Sequence, residues 1–589
     1  MILTALALDL QSFGYKSIDK PICGLADDLT LKTASPEHMA AILRKAEAYV
    51  EWSMCLKFKS KKSAILALTD DGQPVDHKFT LNSAIIPSFT KKPFRFLGKY
   101  IYPTLGASQG KKDVIVKVEN LLKKVDDIRI DGKKKSWIYQ FGVLPVVRWD
   151  FMMLELDETT TSKLEATVTR FLKKWLKLAK CADSSILYRG TCGLKIDNIR
   201  CIIAASRTNT EIILCTSKDP TVRSVAKRRR DVERDATGYS TPKKIKIAVQ
   251  DIEFKKKFYR NIRNGHDRRG LRTEKRLLLN KKTIVNEVKK LTHEEKSAKI
   301  HQLAVQSKWL DWDNFIDADF SWKEIVYAMS PSLMSFWLNS VQNTLPDPVN
   351  IRRWGKSKEA KCALCGWSNC TQHHILCWCK VALDQGRITW RHDSVLNAII
   401  KWIKVGKKKA TETFKDCDKS NSNRIEFIKA GTKIKKKKPG PTFWHDGTGW
   451  VILTDSKANP YQVPPQIAAT SLRPDICIYS MSRRKVLFIE LTSPFEENMT
   501  KWKAKKEEKY TGLVLDARSN GWDAHCRAVE VGARGFVGTG VTALFRHLGL
   551  SNKESNTARI ELSRVAIRAS HYIWISRENR EWGHPSRIC

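Results

Sequence analysis

The segment CALCGWSNCTQHHILCWC, Cys362 to Cys379, concentrates soft metal ligands. Cys362 and Cys365 form a C-x2-C pair, whose turn lets two thiolates converge on one cation. His374 and Cys379 follow nine and fourteen residues after Cys365. The resulting Cys-Cys-His-Cys set suits a structural, tetrahedral Zn2+. Cys370, His373 and Cys377 are alternative donors, so the membership of the set stays open while the site itself is expected. Buried small hydrophobes would not require closely spaced cysteine pairs around a His-His.

A second constellation lies in LRPDICIYSMSRRKVLFIEL, where two apolar runs flank the polar turn SMSRRK. Asp475 opens the first run and Glu490 lies at the end of the second. A hairpin brings those ends together. Two carboxylates on adjacent strand ends suit a catalytic Mg2+ or Mn2+ with open water positions. Such a cation activates water and neutralises charge on a scissile phosphate. The chemistry also calls for a nearby ammonium group. Thr492, two residues past Glu490, cannot supply it. Lys506 and Lys509, at i and i+3 in ENMTKWKAKKEEKY, share one helix face and are the candidates. Pro474-Asp475 alone would mark no more than a turn.

The elements that position these residues belong to a chain of 589 residues, room for three or four domains. Hydrophobic residues make up 42%, which excludes a wholly disordered protein. Lys plus Arg number 105 against 62 Asp plus Glu, a net +43 that calls for a polyanionic partner, DNA or RNA. The 15 cysteines, clustered at 362–379, favour reduced thiols and metal over a disulfide framework. No secretory signal is evident, and no apolar run of about 18 residues predicts a membrane span. Basic clusters at Lys227-Arg228-Arg229-Arg230, Lys243-Lys244 and Lys435 to Lys438 either serve nuclear import or are solvated loops. A nuclear location with cytoplasmic transit is the expectation.

Along the chain, AILRKAEAYVEWSMCLKF has helical periodicity and AILAL reads as a strand. From 113 to 180, VIVKVENLLKKV and KLEATVTRFLKKWLKL place apolar residues at i, i+3 and i+4. Residues 216–300 read as a basic linker with some long helices. Trp309, Trp312, Trp322 and Trp337 then supply aromatic bulk. After a basic loop at 405–442, strands and helices alternate. No internal repeat is present.

Taken in order, these segments resemble the C-terminal half of a non-long-terminal-repeat retrotransposon polyprotein. The class is the one carrying a restriction-like endonuclease, as in elements inserting into ribosomal RNA genes. GLADDLTL, with Asp27 and Asp28, resembles the reverse-transcriptase motif that supplies two catalytic aspartates, with Leu25 where an aromatic residue is more usual. MCLKFKSKKSAIL resembles the following motif, with Lys62 in the lysine position. FRFLGKYI, with Leu97-Gly98, resembles the primer grip, and WIYQFGVLPVVRW and FLKKWLKL resemble the thumb. LPDPVNIRRWGKSKEAKCALC followed by HHILCWC resembles the zinc knuckle. ITWRHDSVL resembles a basic motif opening the endonuclease region, and its Arg391 and His392 are expected to bind nucleic acid or to organise the core. LRPDICIYS, ELTSPFEEN and KKEEKY resemble the PD-(D/E)xK endonuclease core, and VEVGARGFV, with Glu530, a segment after it.

The resemblance implies a multidomain α+β fold. A partial reverse-transcriptase palm is expected at 1–105, a helical thumb at 106–215 and a basic linker at 216–300. A helical region with the knuckle follows at 301–384, and an α/β restriction-like endonuclease domain at 385–589. A palm needs a further aspartate and a fingers region upstream. Only 26 residues precede Asp27, with Asp9 and Asp19 the only acids among them, so Asp27 and Asp28 are expected to be vestigial. The implied activity is DNA nicking for target-primed reverse transcription, with polymerase activity lost. The alternative is a non-catalytic fragment that binds RNA or DNA.

Overall fold

The computed structural model describes residues 22–25, 28–90, 93–96, 99–103, 108–188, 193–220, 222–224, 226, 244–253, 281–316, 322–419, 442–444, 449–455 and 460–583. The chain forms two compact units. One comprises Met1–Lys123, Val143–Leu164 and Ile202–Val285; the other comprises Lys124–Gly142, Glu165–Cys201 and Asn286–Cys589. The class is mixed α and β, rich in helix with small sheets. No helix among the described residues is long and apolar enough to cross a membrane.

In the first unit, β1 (Ile22–Leu25) and β2 (Asp28–Leu31) form an antiparallel hairpin that pairs Leu25 with Asp28. Asp27 and Leu97-Gly98 lie outside the described residues. The periodic segment after them folds as α1 (Pro36–Met54). Ser35 caps it, accepting from the His38 amide at 3.3 Å, and Pro36 starts it, its missing N–H costing nothing there. Cys55 ends it in the left-handed region, φ 50°, so the CLKF end of the expected helix stays outside. The AILAL strand shrinks to Ala67–Leu68. Lys62 is exposed at the end of a single 3-10 turn, Ser60–Lys62. Leu43, Phe79, Leu81 and Ile86 form the small core.

The helical pattern over 113–180 folds as Ser108–Asp127, Gly132–Ile138, Leu144–Met153 and Glu158–Trp175. Of the basic segment 216–300, helix Lys281–Ile300 is described, while 227–243 and 254–280 lie outside the described residues.

The second unit is built on a four-stranded sheet: β3 (Val451–Thr454), β4 (Ile476–Ser480), β5 (Lys485–Thr492) and β6 (Asp523–Glu530). The spatial order is β6-β5-β4-β3. β3, β4 and β5 run antiparallel, and β6 joins β5 in parallel. A parallel neighbour requires a crossover, and helix α4 (Met499–Ser519) provides it. β4 and β5 read as near-continuous apolar runs because both faces are covered. One face carries Ile476, Ile478, Leu487, Ile489 and Val529. It packs on α3 (Arg387–Lys419), α5 (Thr539–His547) and α6 (Asn552–Ile575). The other carries Cys477, Val486, Phe488 and Ala524, and packs on Tyr510, Leu513 and Ala517 of α4. Each fully buried aliphatic side chain contributes roughly 1.5–3 kcal/mol. The expected aromatic bulk is here too: Trp312 and Trp337, the latter on α2 (Pro331–Val341), pack on Phe536 at 4.7 and 6.0 Å between ring centroids.

Candidate functional site

Asp475 precedes β4 and Glu490 lies in β5. Ile476 pairs with Ile489, so the hairpin sets the two acids side by side. Strand alternation puts both on the α4 face. Each is held by the backbone of the other's strand: the Asp475 amide donates to Glu490 Oε2 at 3.1 Å, and the Leu491 amide donates to Asp475 Oδ2 at 2.7 Å. Two carboxylates this close repel, and cationic partners offset the repulsion. Lys506 Nζ donates to Glu490 Oε1 from α4. His392 Nε2 lies 3.5 Å from Asp475 Oδ2 and 3.3 Å from the Leu491 carbonyl. His392 Nδ1 meets Asp393 at 3.1 Å. Burial alone would lower the His392 pKa, but hydrogen bonds to Asp393 and Asp475 push it up to about 10. Asp475 Oδ1 has no protein partner among the described residues, which leaves the pair room for a cation.

Two tyrosines fix the chain entering Asp475. Tyr461 OH donates to the Pro474 carbonyl at 2.6 Å, and Tyr510 OH donates to the Arg473 carbonyl at 3.2 Å. Burial pushes both hydroxyls well above the ordinary tyrosine range, so they remain donors. Lys509 donates to Tyr510 OH at 3.0 Å and does not reach the carboxylates. Of the two candidate lysines, Lys506 pairs with Glu490, whereas Lys509, about one turn further along α4, pairs with Tyr510 OH. The tyrosines carry no motif signal of their own. Tyr510 follows the charged run KAKKEEK and Tyr461 stands in ANPYQVPP, so neither is marked in the sequence as a neighbour of the carboxylates.

The cysteine cluster closes on one set. The ligand atoms of Cys362, Cys365, His374 and Cys379 all lie within 4.8 Å of one another. Cys362 Sγ and Cys379 Sγ are 3.9 Å apart, and Cys365 Sγ is 3.3 Å from His374 Nε2. Thiolates on a tetrahedral zinc with bonds of about 2.3 Å stand about 3.8 Å apart, so the set can hold zinc. Gly366, at φ 75°, permits the reversal after the C-x2-C pair, where its amide returns to the Cys362 carbonyl at 2.9 Å. The alternatives are not among these four, although the Cys370 thiol touches Cys362. His373 packs on Phe495, 4.6 Å between ring centroids, and Cys377 receives Arg391 Nη2 at 3.7 Å. Cys370 is buried behind the set, its amide on the Ala360 carbonyl.

Arg391 does not face solvent, so the expected contact with nucleic acid gives way to the core-organising alternative. Its side chain is fully buried. Nη1 donates to the Leu376 carbonyl at 2.9 Å and Ser570 Oγ at 3.2 Å, and Nη2 to the Ser493 carbonyl at 3.0 Å. It therefore ties the turn between His374 and Cys379 to the segment just past Glu490. The adjacent His392 reaches Asp475 from the same helix. A buried guanidinium needs this many acceptors, and the sequence alone does not show which carbonyls converge.

No known protein family and no curated protein matches the chain.

Proposed function

We propose that the chain is a metal-dependent DNA endonuclease of retroelement origin that nicks DNA in the nucleus. The observation that carries this reading is the reciprocal pairing of Asp475 and Glu490, with Lys506 on Glu490. Asp475 and Glu490 would hold Mg2+ or Mn2+, which when bound would acidify water and neutralise phosphate charge. The protein's own groups do the rest. His392 and the Leu491 amide keep Asp475 aimed, and Tyr461 and Tyr510 hold its loop. The Lys506 ammonium, which stands at Glu490, would stabilise the charge that develops on the phosphorane. The knuckle is a structural module that braces the domain and adds to nucleic-acid binding.

Phosphate attraction comes from charge spread over the chain. On α3, Lys404, Lys407 and Lys408 line a groove of about 610 Å³ with Thr411, Glu412 and Ile452. It begins twelve residues beyond His392, about 18 Å along the helix. A duplex lying there would extend away from the carboxylates, which suits a backbone track and not the reacting centre.

The test is supercoiled-plasmid nicking with Mg2+ or Mn2+ by wild type, Asp475→Ala, Glu490→Ala and Lys506→Ala. Each substitution is expected to slow nicking by about 100- to 1000-fold and leave DNA binding nearly intact. Equal nicking by all four would mark a contaminating nuclease. Failure of the wild type on every DNA, branched substrates included, would favour a binding module for RNA or DNA.

A further inference from the structure

Strand β6 is an edge of the sheet, and its side chains alternate between two environments. Ala524 and Cys526 pack under α4, while Val529 packs on the α3, α5 and α6 side. Asp523, His525 and Arg527 share the Val529 face by alternation. The register sets Lys485 of β5 beside Asp523, Leu487 beside His525 and Ile489 beside Arg527. Helix α5 packs on this strand and ends at His547. Phe443 fixes that residue: its amide donates to the His547 carbonyl at 2.9 Å, and its ring lies 5.3 Å from the imidazole.

The charges on this face do not cancel. Asp523 takes Lys485 at 3.6 Å and His525 at 3.0 Å. At the far end of β6, Lys503 meets Glu530 at 3.5 Å. Arg527, between them, has no carboxylate partner among the described residues. Its Nε is buried without an acceptor, and His547 Nε2 is buried without a partner. Such orphaned polar atoms are costly and call for a ligand or water. Both residues are only partly buried, which leaves an approach from solvent. Burial lowers the His547 pKa, and Arg527, His525 and Lys485 lower it further against the pull of Asp523. The ring is therefore neutral at pH 7.

We propose that Arg527 and His547 form a phosphate site on the edge strand, holding a backbone phosphodiester of nucleic acid away from the cleaved bond. It rests on the reading of the chain as a nucleic-acid-binding protein, and not on the cutting step. A guanidinium offers paired N–H donors that match two phosphate oxygens. A phosphodiester carries one negative charge. Lys485 and Arg527 against Asp523 leave one positive charge with the histidines neutral. The anion favours protonation of His547, whose Nε2 then donates to it. Glu490 faces α4, so this phosphate lies on the opposite face of the sheet from the carboxylates, where it anchors the nucleic acid without taking part in the reaction.

Affinity of the full-length chain for a DNA duplex, read without Mg2+ or Mn2+ at rising salt and from about pH 8 to about pH 6, tests this. Wild type is expected to bind about tenfold tighter at the acid end, through the proton taken up by His547. His547→Asn loses most of that gain. Arg527→Gln loses it too and lowers the slope of log affinity against log salt by about one. Lys404→Gln, in the groove on α3, lowers the slope equally but keeps the gain. A slope and an acid gain unchanged in Arg527→Gln would make this face a hydrated edge and overturn the site. Thermal stabilisation by inorganic phosphate that Arg527→Gln abolishes, with DNA binding unaltered, would assign the pocket to free phosphate and overturn the backbone assignment. A wild type that binds duplex without nicking it leaves the inference standing; one that binds no nucleic acid removes both readings. If Arg527→Gln fails to fold, His547→Asn decides, and a retained acid gain overturns the site.

Discussion

Lys506 and Lys509 are three positions apart on one helix and chemically identical, yet their surroundings assign them different work. Lys506 meets a carboxylate that is 5% exposed, and Lys509 meets the hydroxyl of Tyr510. Lys509→Ala is therefore expected to slow nicking less than about tenfold, against about 100- to 1000-fold for Lys506→Ala. Matched kinetics for both variants under single-turnover conditions check the difference, and equal losses would contradict the geometry. His392 is held by two acids and a carbonyl, so its replacement by Gln should disturb the aim of Asp475 while leaving Glu490 and Lys506 in place.

Elements carry the next set of consequences. The knuckle is joined to the sheet through Arg391, whose loss leaves the Leu376 and Ser493 carbonyls without their donor. Each buried acceptor left unsatisfied costs about 1–3 kcal/mol. Elemental analysis should find about one zinc per chain, and zinc removal or Cys379→Ser should lower the melting temperature of the second unit. Unchanged melting after complete zinc loss would disconnect the knuckle from that fold. At the far end, α6 begins with a capping box in which Ser551 and Glu554 satisfy each other's amides, with Lys409 on the Glu554 carboxylate. Burial raises the Glu554 pKa, but Lys409 and Ser551 outweigh it and hold the carboxyl down to about 2. A depressed carboxylate stabilises the fold above its ordinary pKa of about 4.5, and that contribution fades as pH falls through 2. Glu554→Gln should thus lower the melting temperature at pH 7, and the gap from wild type should narrow by pH 3.

For the molecule as a whole, the governing quantity is the +43 net charge. Binding to duplex or single-stranded nucleic acid should be tight at low salt and weaken steeply as salt rises, since each neutralised phosphate releases counterions. A plot of log affinity against log salt concentration reads the number of contacts, and a flat line would reject electrostatic binding. Because those contacts are dispersed, the carboxylate substitutions should leave the slope unaltered.

Local patterns in the amino-acid sequence determine the hairpin and announce the metal site. Apolar runs around SMSRRK determine the β4–β5 hairpin, since so short a turn allows only antiparallel pairing. That hairpin by itself brings Asp475 to Glu490. The C-x2-C turn with its following glycine announces a metal site, because few other folds need two thiols so close. Choosing among seven donors required tertiary structure: His373 and His374 are indistinguishable in sequence, and only the packing of Phe495 turns His373 away, as the docking of Arg391 does Cys377. The same holds for Arg391, whose charge suggests a surface role until three distant carbonyl and hydroxyl groups enclose it. Lys503 and Glu530 meet because a parallel strand returns beneath α4, a long-range crossover that no local pattern encodes.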